Sequence, residues 1–237
     1  MSKILEAMRK ASFDGANLSE RLSLLDGVNL YPVDTDQQTA EFEQLANALI
    51  ALHTGSTGLV VVFASTVSGE GNSYVSYNVA RHLSLLFDRK VAWIDANFQS
   101  PQERLAHEEV SFRALLRDPS LFDQLKTGTN FLLVGNGDLP GKSTNLLKTD
   151  NYLELIARFQ ERFYVTILDA PPVLESVDVA HLAAPTAGLV VVVESRRLKH
   201  EVIQHGMEKL KDQNVRIMGT VLNKRRFDLP RFLYERL

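Results

Sequence analysis

Several features are absent from this sequence, and each absence excludes a kind of site or a class of protein. The 237 residues include no cysteine, which excludes disulfides, thiolate catalysis and cysteine-ligated zinc. No apolar run approaches the roughly 20 residues that a membrane-spanning helix needs. The amphipathic residues 1–10 lack the long apolar core of a signal peptide. These absences predict a cytoplasmic protein.

The net charge and the spacing of the histidines argue against nucleic-acid binding and against a histidine metal site. The net charge is −3, which argues against bulk electrostatic binding, so we expect no nucleic-acid partner. The six histidines show no metal-ligand spacing. Hydrophobic residues make up 45% and charged residues 23%, as is ordinary for a globular protein.

The middle of the chain alternates short apolar runs with amphipathic segments. The runs predicted as strands are residues 59–63, 91–94, 131–134, 165–168, 188–193 and 217–222. The segments predicted as helices are 39–52, 74–86, 152–163 and 202–213, with short helical pieces at 112–116 and 121–125. Short buried strands separated by helices predict an α/β fold, with a mostly parallel sheet covered by helices on both faces in three α/β/α layers.

This pattern predicts one domain with an extension at each end. Residues 1–38 are expected to hold a short helix at 3–10 and a flexible lead-in, and residues 39–225 the domain. Residues 226–237 read as a basic C-terminal helix or tail. That tail has two interpretations: it packs its apolar face on the domain, or it binds a membrane surface or a partner.

A glycine-rich loop follows the first predicted strand. Residues 64–73 read Ala-Ser-Thr-Val-Ser-Gly-Glu-Gly-Asn-Ser and precede a helix. Strand, glycine turn and helix form the layout of a phosphate-binding loop, whose backbone N–H groups and helix N-terminus face a polyphosphate. The predicted nucleotide-binding residues are Gly69, Glu70, Gly71, Asn72, Ser73 and Tyr74. Asn72 stands where such a loop has its lysine, and a tight turn without a ligand is the alternative.

Two other predicted strands end in carboxylates. Asp95 begins the segment 95–101, Asp-Ala-Asn-Phe-Gln-Ser-Pro, and Asp169 begins 169–172, Asp-Ala-Pro-Pro. Because the carboxyl ends of parallel strands meet at one edge of a sheet, both carboxylates are expected near the loop. Asp95 is the candidate catalytic residue, with a structural role in its own loop as the alternative. Asp169 and Ser73 are the candidate Mg²⁺ ligands.

Taken in order, these motifs resemble those of the bacterial tyrosine kinases and, more broadly, of the MinD/ParA-type P-loop ATPases. The resemblance covers about residues 39–225. The family's Ser-x-x-Pro-Gly-Glu-Gly-Lys-Ser corresponds to residues 65–73, and its Asp-x-Asp-x-Arg-x-Pro to residues 95–101. The family's Asp-x-Pro-Pro is intact at residues 169–172.

The resemblance implies cofactors and partners. ATP or ADP with Mg²⁺ is the implied cofactor, and Asn223 corresponds to a residue that contacts adenine in relatives, although it also reads as a strand-end turn residue. The implied partner is a membrane-embedded polysaccharide co-polymerase or transport protein, which would hold the chain at the inner face of the plasma membrane. Relatives also suggest a homodimer.

The departures from the family pattern remove charges. Asn72 replaces a lysine, Asn97 an aspartate and Gln99 an arginine. The helix that carries two ring-assembly arginines in relatives has Gln44 and Asn47 at those positions. The tyrosine-rich tail that relatives phosphorylate is reduced to Tyr234. We therefore expect a pseudokinase that regulates or scaffolds exopolysaccharide and capsule assembly.

Two alternatives stay open at this stage. One is a working ATP-dependent tyrosine autokinase that borrows its cation from Lys142, from Lys224 or from a neighbouring subunit. The other is a MinD/ParA-type ATPase, which is disfavoured because Ser65 and Thr66 stand where such proteins carry an extra lysine.

Overall fold

Six parallel strands form the centre of the protein. The computed structural model describes residue 31 and residues 36–53, 55–99, 110–126, 129–137 and 143–225. The strands are β1 Leu59–Ser65, β2 Val91–Asp95, β3 Phe131–Val134, β4 Val165–Asp169, β5 Leu189–Glu194 and β6 Ile217–Asn223. They lie in the order β3-β2-β4-β1-β5-β6, and all of these neighbours pair in parallel. The predicted α/β fold with a parallel sheet is confirmed.

Helices connect the strands and cover both faces. The described helices are α1 Asp36–Ala51, α2 Asn72–Leu86, α3 Phe112–Arg117, α4 Ser143–Leu147, α5 Asp150–Arg162, α6 Asp178–Ala183 and α7 His200–Asp212, with a 3₁₀ helix at Pro119–Gln124. Two of them, α4 and α6, were not predicted; each spans fewer than two turns, so its helical period is weak. None of the helices in the described part of the chain is both long and apolar enough to cross a membrane. The helix predicted at 3–10, the tail at 226–237, Lys142 and Tyr234 lie outside the described residues.

The two faces of the sheet bury separate apolar clusters. Successive residues of a strand point to opposite faces, so Val61 and Phe63 pack with α1 and α2, whereas Val60 and Val62 pack with α5, α6 and α7. Trp93 of β2 is fully buried on the α2 side, as predicted for a core residue. Side chains two residues further along β2, and likewise at the end of β4, therefore face α2.

Strand register brings the predicted site residues to one edge of the sheet. Asp169 pairs with Asp95 on one side and with Phe63 of β1 on the other. Neighbouring strands are about 4.8 Å apart, so the two aspartates are immediate neighbours on the α2 side. The glycine-rich loop leaves β1 at this same edge.

Candidate functional site

The loop between β1 and α2 has the backbone of an anion-binding turn. Gly69 and Gly71 have φ angles of +83° and +89°, in the left-handed region that favours glycine, and Gly71 caps α2. Within the described residues, the N–H groups of residues 69–73 have no acceptor. Successive free N–H groups at such a turn form a concavity that suits an anion.

Asn72 points into the base of this loop. Its side chain is 8% exposed, and Nδ2 donates to Asp169 Oδ1 at 2.6 Å, to the carbonyl of Phe63 at 2.9 Å and to that of Ala170 at 3.3 Å. The amide thus ties the loop to the ends of β1 and β4. It places no cation where the family's lysine would be.

Asp169 is buried in a polar cluster under α2. Burial, and secondarily the nearby charge of Asp95, raise the pKa of Asp169 to about 8, although hydrogen bonds from Ser73, Ser76 and Asn72 oppose this shift. Ser76 Oγ lies 3.2 Å from Asp169 Oδ1 and accepts from Trp93 Nε1 at 2.9 Å. Burial beside Asp95 therefore makes the charged form of Asp169 costly in the folded chain.

Asp95 organises its own loop. Its Oδ1 accepts from the N–H of Asn97 at 3.0 Å, and Asn97 Oδ1 accepts from the N–H of Gln99 at 3.2 Å. Gln99 Nε2 then donates to the carbonyl of Glu175 at 3.2 Å. These contacts support the structural interpretation of Asp95, and its catalytic role stays a prediction.

The residues at this edge fit a hydrated magnesium ion. Two buried oxygens, Asn72 Oδ1 and Asp169 Oδ2, have no hydrogen-bond partner, and Asp95 and the half-buried Ser73 add further hard oxygen donors. The described residues contain no group of three or more His, Asp or Glu side chains that could hold a metal. A Mg²⁺ ion here would therefore keep several waters and rely on phosphate oxygens, as this ion commonly does.

Two predicted nucleotide-binding residues direct their side chains elsewhere. The Tyr74 ring packs edge-on against Tyr31 and Phe42, with centroid distances of 6.3 and 5.6 Å, in the apolar layer of α1 and α2. The fully buried Glu70 carboxylate accepts from the N–H groups of Val67 at 2.9 Å and Glu194 at 3.0 Å. Both side chains thus make structural contacts, and the nucleotide-binding role of the two residues stays a prediction.

Several residues around the loop were not predicted from the sequence. Glu175 Oε1 accepts from the N–H of Ser68 at 2.7 Å, and Arg197 Nη2 donates to the carbonyl of Ser68 at 2.7 Å. Arg197 also pairs with Glu194 at 3.1 Å. Sequence separations of 107 residues for Glu175 and 129 for Arg197 leave no local signal for these contacts.

Two residues at the end of β6 complete the surroundings of the loop. Lys224, one of the predicted borrowed cations, places Nζ 3.1 Å from the carbonyl of Gly69 and 3.0 Å from Glu194 Oε2. Asn223 donates Nδ2 to the carbonyl of Glu70 at 2.9 Å. The predicted adenine contact of Asn223 stays a prediction.

Comparison with known proteins finds similar chains among proteins named as tyrosine kinases. No family model matches the chain. The chain is 28% identical over 93 residues to the tyrosine-protein kinase CpsD of Streptococcus agalactiae, covering 39% of this chain and 41% of CpsD. It is 25% identical over 205 residues to EpsB of Ralstonia nicotianae, covering 81% of this chain and 26% of EpsB. Among solved structures, the VpsO kinase domain is 25% identical and has a TM-score of 0.65, covering 81% of this chain and 100% of that domain.

The chain is thus similar to proteins named as bacterial tyrosine kinases. The kinase domain of the Escherichia coli tyrosine kinase ETK shares the fold, with a TM-score of 0.72 at 19% identity over 87% of this chain and 89% of that domain. MinD in the MinC:MinD complex of Aquifex aeolicus shares the fold more distantly, with a TM-score of 0.57 at 15% identity, covering 71% of this chain and 70% of that one. These likenesses show a shared α/β fold. The matched segment amounts to about a quarter of EpsB and two fifths of CpsD.

Proposed function

We propose that this chain is a member of the bacterial tyrosine-kinase family with little or no phosphotransfer activity, and that it acts as a regulator or scaffold in exopolysaccharide and capsule biosynthesis and export. The observation that carries the proposal is the buried amide of Asn72, which bonds to Asp169 and to the Phe63 carbonyl instead of projecting a cation into the loop. The loop therefore keeps the backbone of a phosphate-binding turn but lacks the positive charge of the family's lysine.

The loss of charge matters more for catalysis than for binding. Removing one partner of a desolvated charge pair costs roughly 2–5 kcal/mol, which is on the order of 30- to 3000-fold in affinity. The backbone N–H groups of the loop are still present when the lysine is replaced. Phosphoryl transfer depends on neutralising charge that develops in the transition state, and Asn72, Asn97 and Gln99 replace three charged positions of the family at once.

The biological setting of the proposal comes from the family resemblance. A membrane-embedded polysaccharide co-polymerase or transport protein is the proposed partner, and the inner face of the plasma membrane is the proposed location. A homodimer through the nucleotide face is also part of the proposal.

A second candidate function is an active tyrosine autokinase. The observation that favours it is Lys224, whose ammonium lies 3.1 Å from the carbonyl of Gly69 and so brings a cation to the loop from another strand. This candidate predicts ATP-dependent turnover in the unmodified protein.

A phosphotransfer assay separates the two candidates. Purified protein is incubated with Mg²⁺ and radiolabelled ATP, and both ADP release and protein labelling are measured beside the ETK kinase domain. We expect the unmodified chain to match the background of Asp95→Ala. We expect Asn72→Lys to bind ADP at least about tenfold more tightly, because it restores a cation beside Asp169 and the phosphates.

Asn72→Gln is the matched control for that substitution, since it lengthens the side chain without adding charge. Its ADP affinity should not exceed that of the unmodified protein. Turnover comparable to that of the ETK domain, and abolished by Asp95→Ala, would contradict the proposal and establish the autokinase instead.

A further inference from the structure

Three consecutive carbonyls of the loop are held by side chains from β5 and β6. The carbonyl of Ser68 accepts from Arg197, that of Gly69 from Lys224 and that of Glu70 from Asn223, at 2.7, 3.1 and 2.9 Å. We call these three donors, Arg197, Asn223 and Lys224, the carbonyl clamp. Two of them are cations, and all three approach the loop from the same part of the sheet.

The carbonyl clamp decides where the loop's N–H groups point. In a trans peptide the C=O and the following N–H point in opposite directions, and the described chain has no cis peptide. The N–H groups of Gly69, Glu70 and Gly71 therefore point away from the clamp. The preceding N–H, that of Ser68, is already bound by Glu175 at 2.7 Å, so the free N–H groups begin at Gly69.

The two glycines allow the clamp to approach this closely. A Cβ added at Gly71 would lie 2.3 Å from Asn223 Nδ2, and one added at Gly69 would lie 2.9 Å from Arg197 Nη1. Both glycines also have left-handed φ angles that other residues rarely adopt. The close approach of Arg197 and Asn223 therefore depends on glycine at positions 69 and 71.

Glu194 fixes the two cations of the clamp. Its Oε2 pairs with Arg197 at 3.1 Å and with Lys224 at 3.0 Å, so one carboxylate holds both. The carboxylates of Glu70 and Glu175 also lie at the loop, so the clamp acts through the placement of its two cations on carbonyl oxygens and not through a net positive charge. A cation on a carbonyl oxygen polarises that peptide and makes its N–H a better donor to an anion.

Buried side-chain atoms independently indicate a ligand at this loop. Asn72 Oδ1 and Asp169 Oδ2 have no partner, although Asn72 is only 8% and Asp169 only 1% exposed. Leaving a buried acceptor unpaired is costly unless a water or a hydrated cation completes it. These acceptors suit the Mg²⁺ and waters that accompany a polyphosphate.

We infer that the carbonyl clamp holds the loop from behind in an orientation that binds phosphate without the family's lysine, so that the backbone N–H groups of residues 69–73 bind the diphosphate group of a nucleoside di- or triphosphate. In taking this loop as the phosphate site, the inference rests on the proposed function. It does not depend on whether phosphotransfer occurs. Arg197 and Lys224 are positioning residues here, because they act on the ligand through the peptides.

Calorimetric titration of the whole chain with inorganic pyrophosphate and with ADP, at constant ionic strength, tests the inference. Both probes should bind the unmodified protein. Arg197→Gln and Lys224→Gln should each weaken both by about tenfold, the typical effect of losing a hydrogen bond to a charged group, and Arg197→Lys should recover part of the loss. Lys199→Gln is the matched control, because Lys199 is exposed at the start of α7 and carries the same charge.

A spectroscopic readout separates positioning from general stability. Pyrophosphate should shift the amide resonances of Gly69 and Gly71 in the unmodified protein and leave them unshifted in the Arg197→Gln/Lys224→Gln double variant. The inference is overturned if neither probe binds the unmodified protein, if the double variant binds as tightly as the unmodified one, or if Lys199→Gln weakens binding equally. A phosphotransfer-active protein would contradict the proposed function and leave the carbonyl clamp standing.

Discussion

Helix α2 buries a histidine that titrates far from its usual range. His82 is fully buried, its Nδ1 lies 2.7 Å from the carbonyl of Asn78, and its ring lies 5.5 Å from that of Phe42. Burial lowers the pKa of His82 from 6.5 to about 4; the bond to Asn78 opposes this shift, and the charge of Arg81 adds to it. The folded protein therefore holds this ring neutral.

This depressed pKa predicts how stability depends on pH. Because protons bind His82 more readily in the unfolded chain, its contribution is fully present above pH 6.5 and is lost as pH falls from 6.5 to about 4. The loss amounts to about 3 kcal/mol of unfolding free energy. Urea unfolding across this window should show a shallower pH slope in His82→Phe than in the unmodified protein.

His205→Phe is the control for this measurement, since His205 is exposed on α7. It should keep the slope of the unmodified protein, because the exposed ring of His205 stays in contact with water in the folded chain. Equal slopes for His82→Phe and the unmodified protein would show that His82 is protonated without penalty in the folded state.

At the scale of elements, a glycine joins the start of β1 to the end of α5. The N–H of Gly58 donates to the carbonyl of Gln160 at 2.9 Å. A Cβ at Gly58 would lie 1.9 Å from the Phe163 carbonyl oxygen and 2.7 Å from that of Gln160. Real Cβ atoms do not approach backbone this closely, so strand and helix could not both stay in place.

Gly58→Ala should therefore destabilise the protein by about 2 kcal/mol or more, the cost of overpacking a close-packed contact. The urea midpoint measures this effect. Gly219→Ala on β6 is the matched control, because a Cβ there would meet nothing within 4 Å. If the two substitutions shift the urea midpoint equally, steric overlap at the junction of β1 and α5 does not explain the destabilisation.

The elements also differ in how well the sequence predicts them. The predicted strands end within two residues of the observed ones, since runs such as residues 59–63 are continuous and apolar enough to mark a strand buried on both faces. The short helices α4 and α6 escape prediction because each spans fewer than two turns and so has a weak helical period. Helix α2 begins two residues before the predicted residue 74, because Gly71 caps it from inside the loop.

At the scale of the whole molecule, α1 packs on α2. Phe42 and Leu49 of α1 are buried in the apolar cluster that they share with α2, whereas Gln44 is exposed and Asn47 half-buried. The positions that carry ring-assembly arginines in relatives are thus neutral here, and Gln44 lies on an accessible surface. A ring through these positions would lack its charged contacts.

We therefore expect sedimentation velocity to give a species much smaller than the octameric ring of relatives, and to give the same result with and without ADP. The Gln44→Arg/Asn47→Arg double variant tests whether charge is what is missing, since restoring it should increase the sedimentation coefficient. An octamer formed by the unmodified protein would contradict the expectation.

The sequence by itself determined the fold class, the strands and the neutral character of the loop, because apolar runs, glycine spacing and residue identity are local properties of the chain. Only the tertiary structure decided what those residues contact. The bond between Asn72 and Asp169 spans 97 residues, and that between Lys224 and Gly69 spans 155. The carbonyl clamp arises because parallel pairing of β1, β5 and β6 brings distant strand ends to one edge of the sheet, and no pattern along the chain records that proximity.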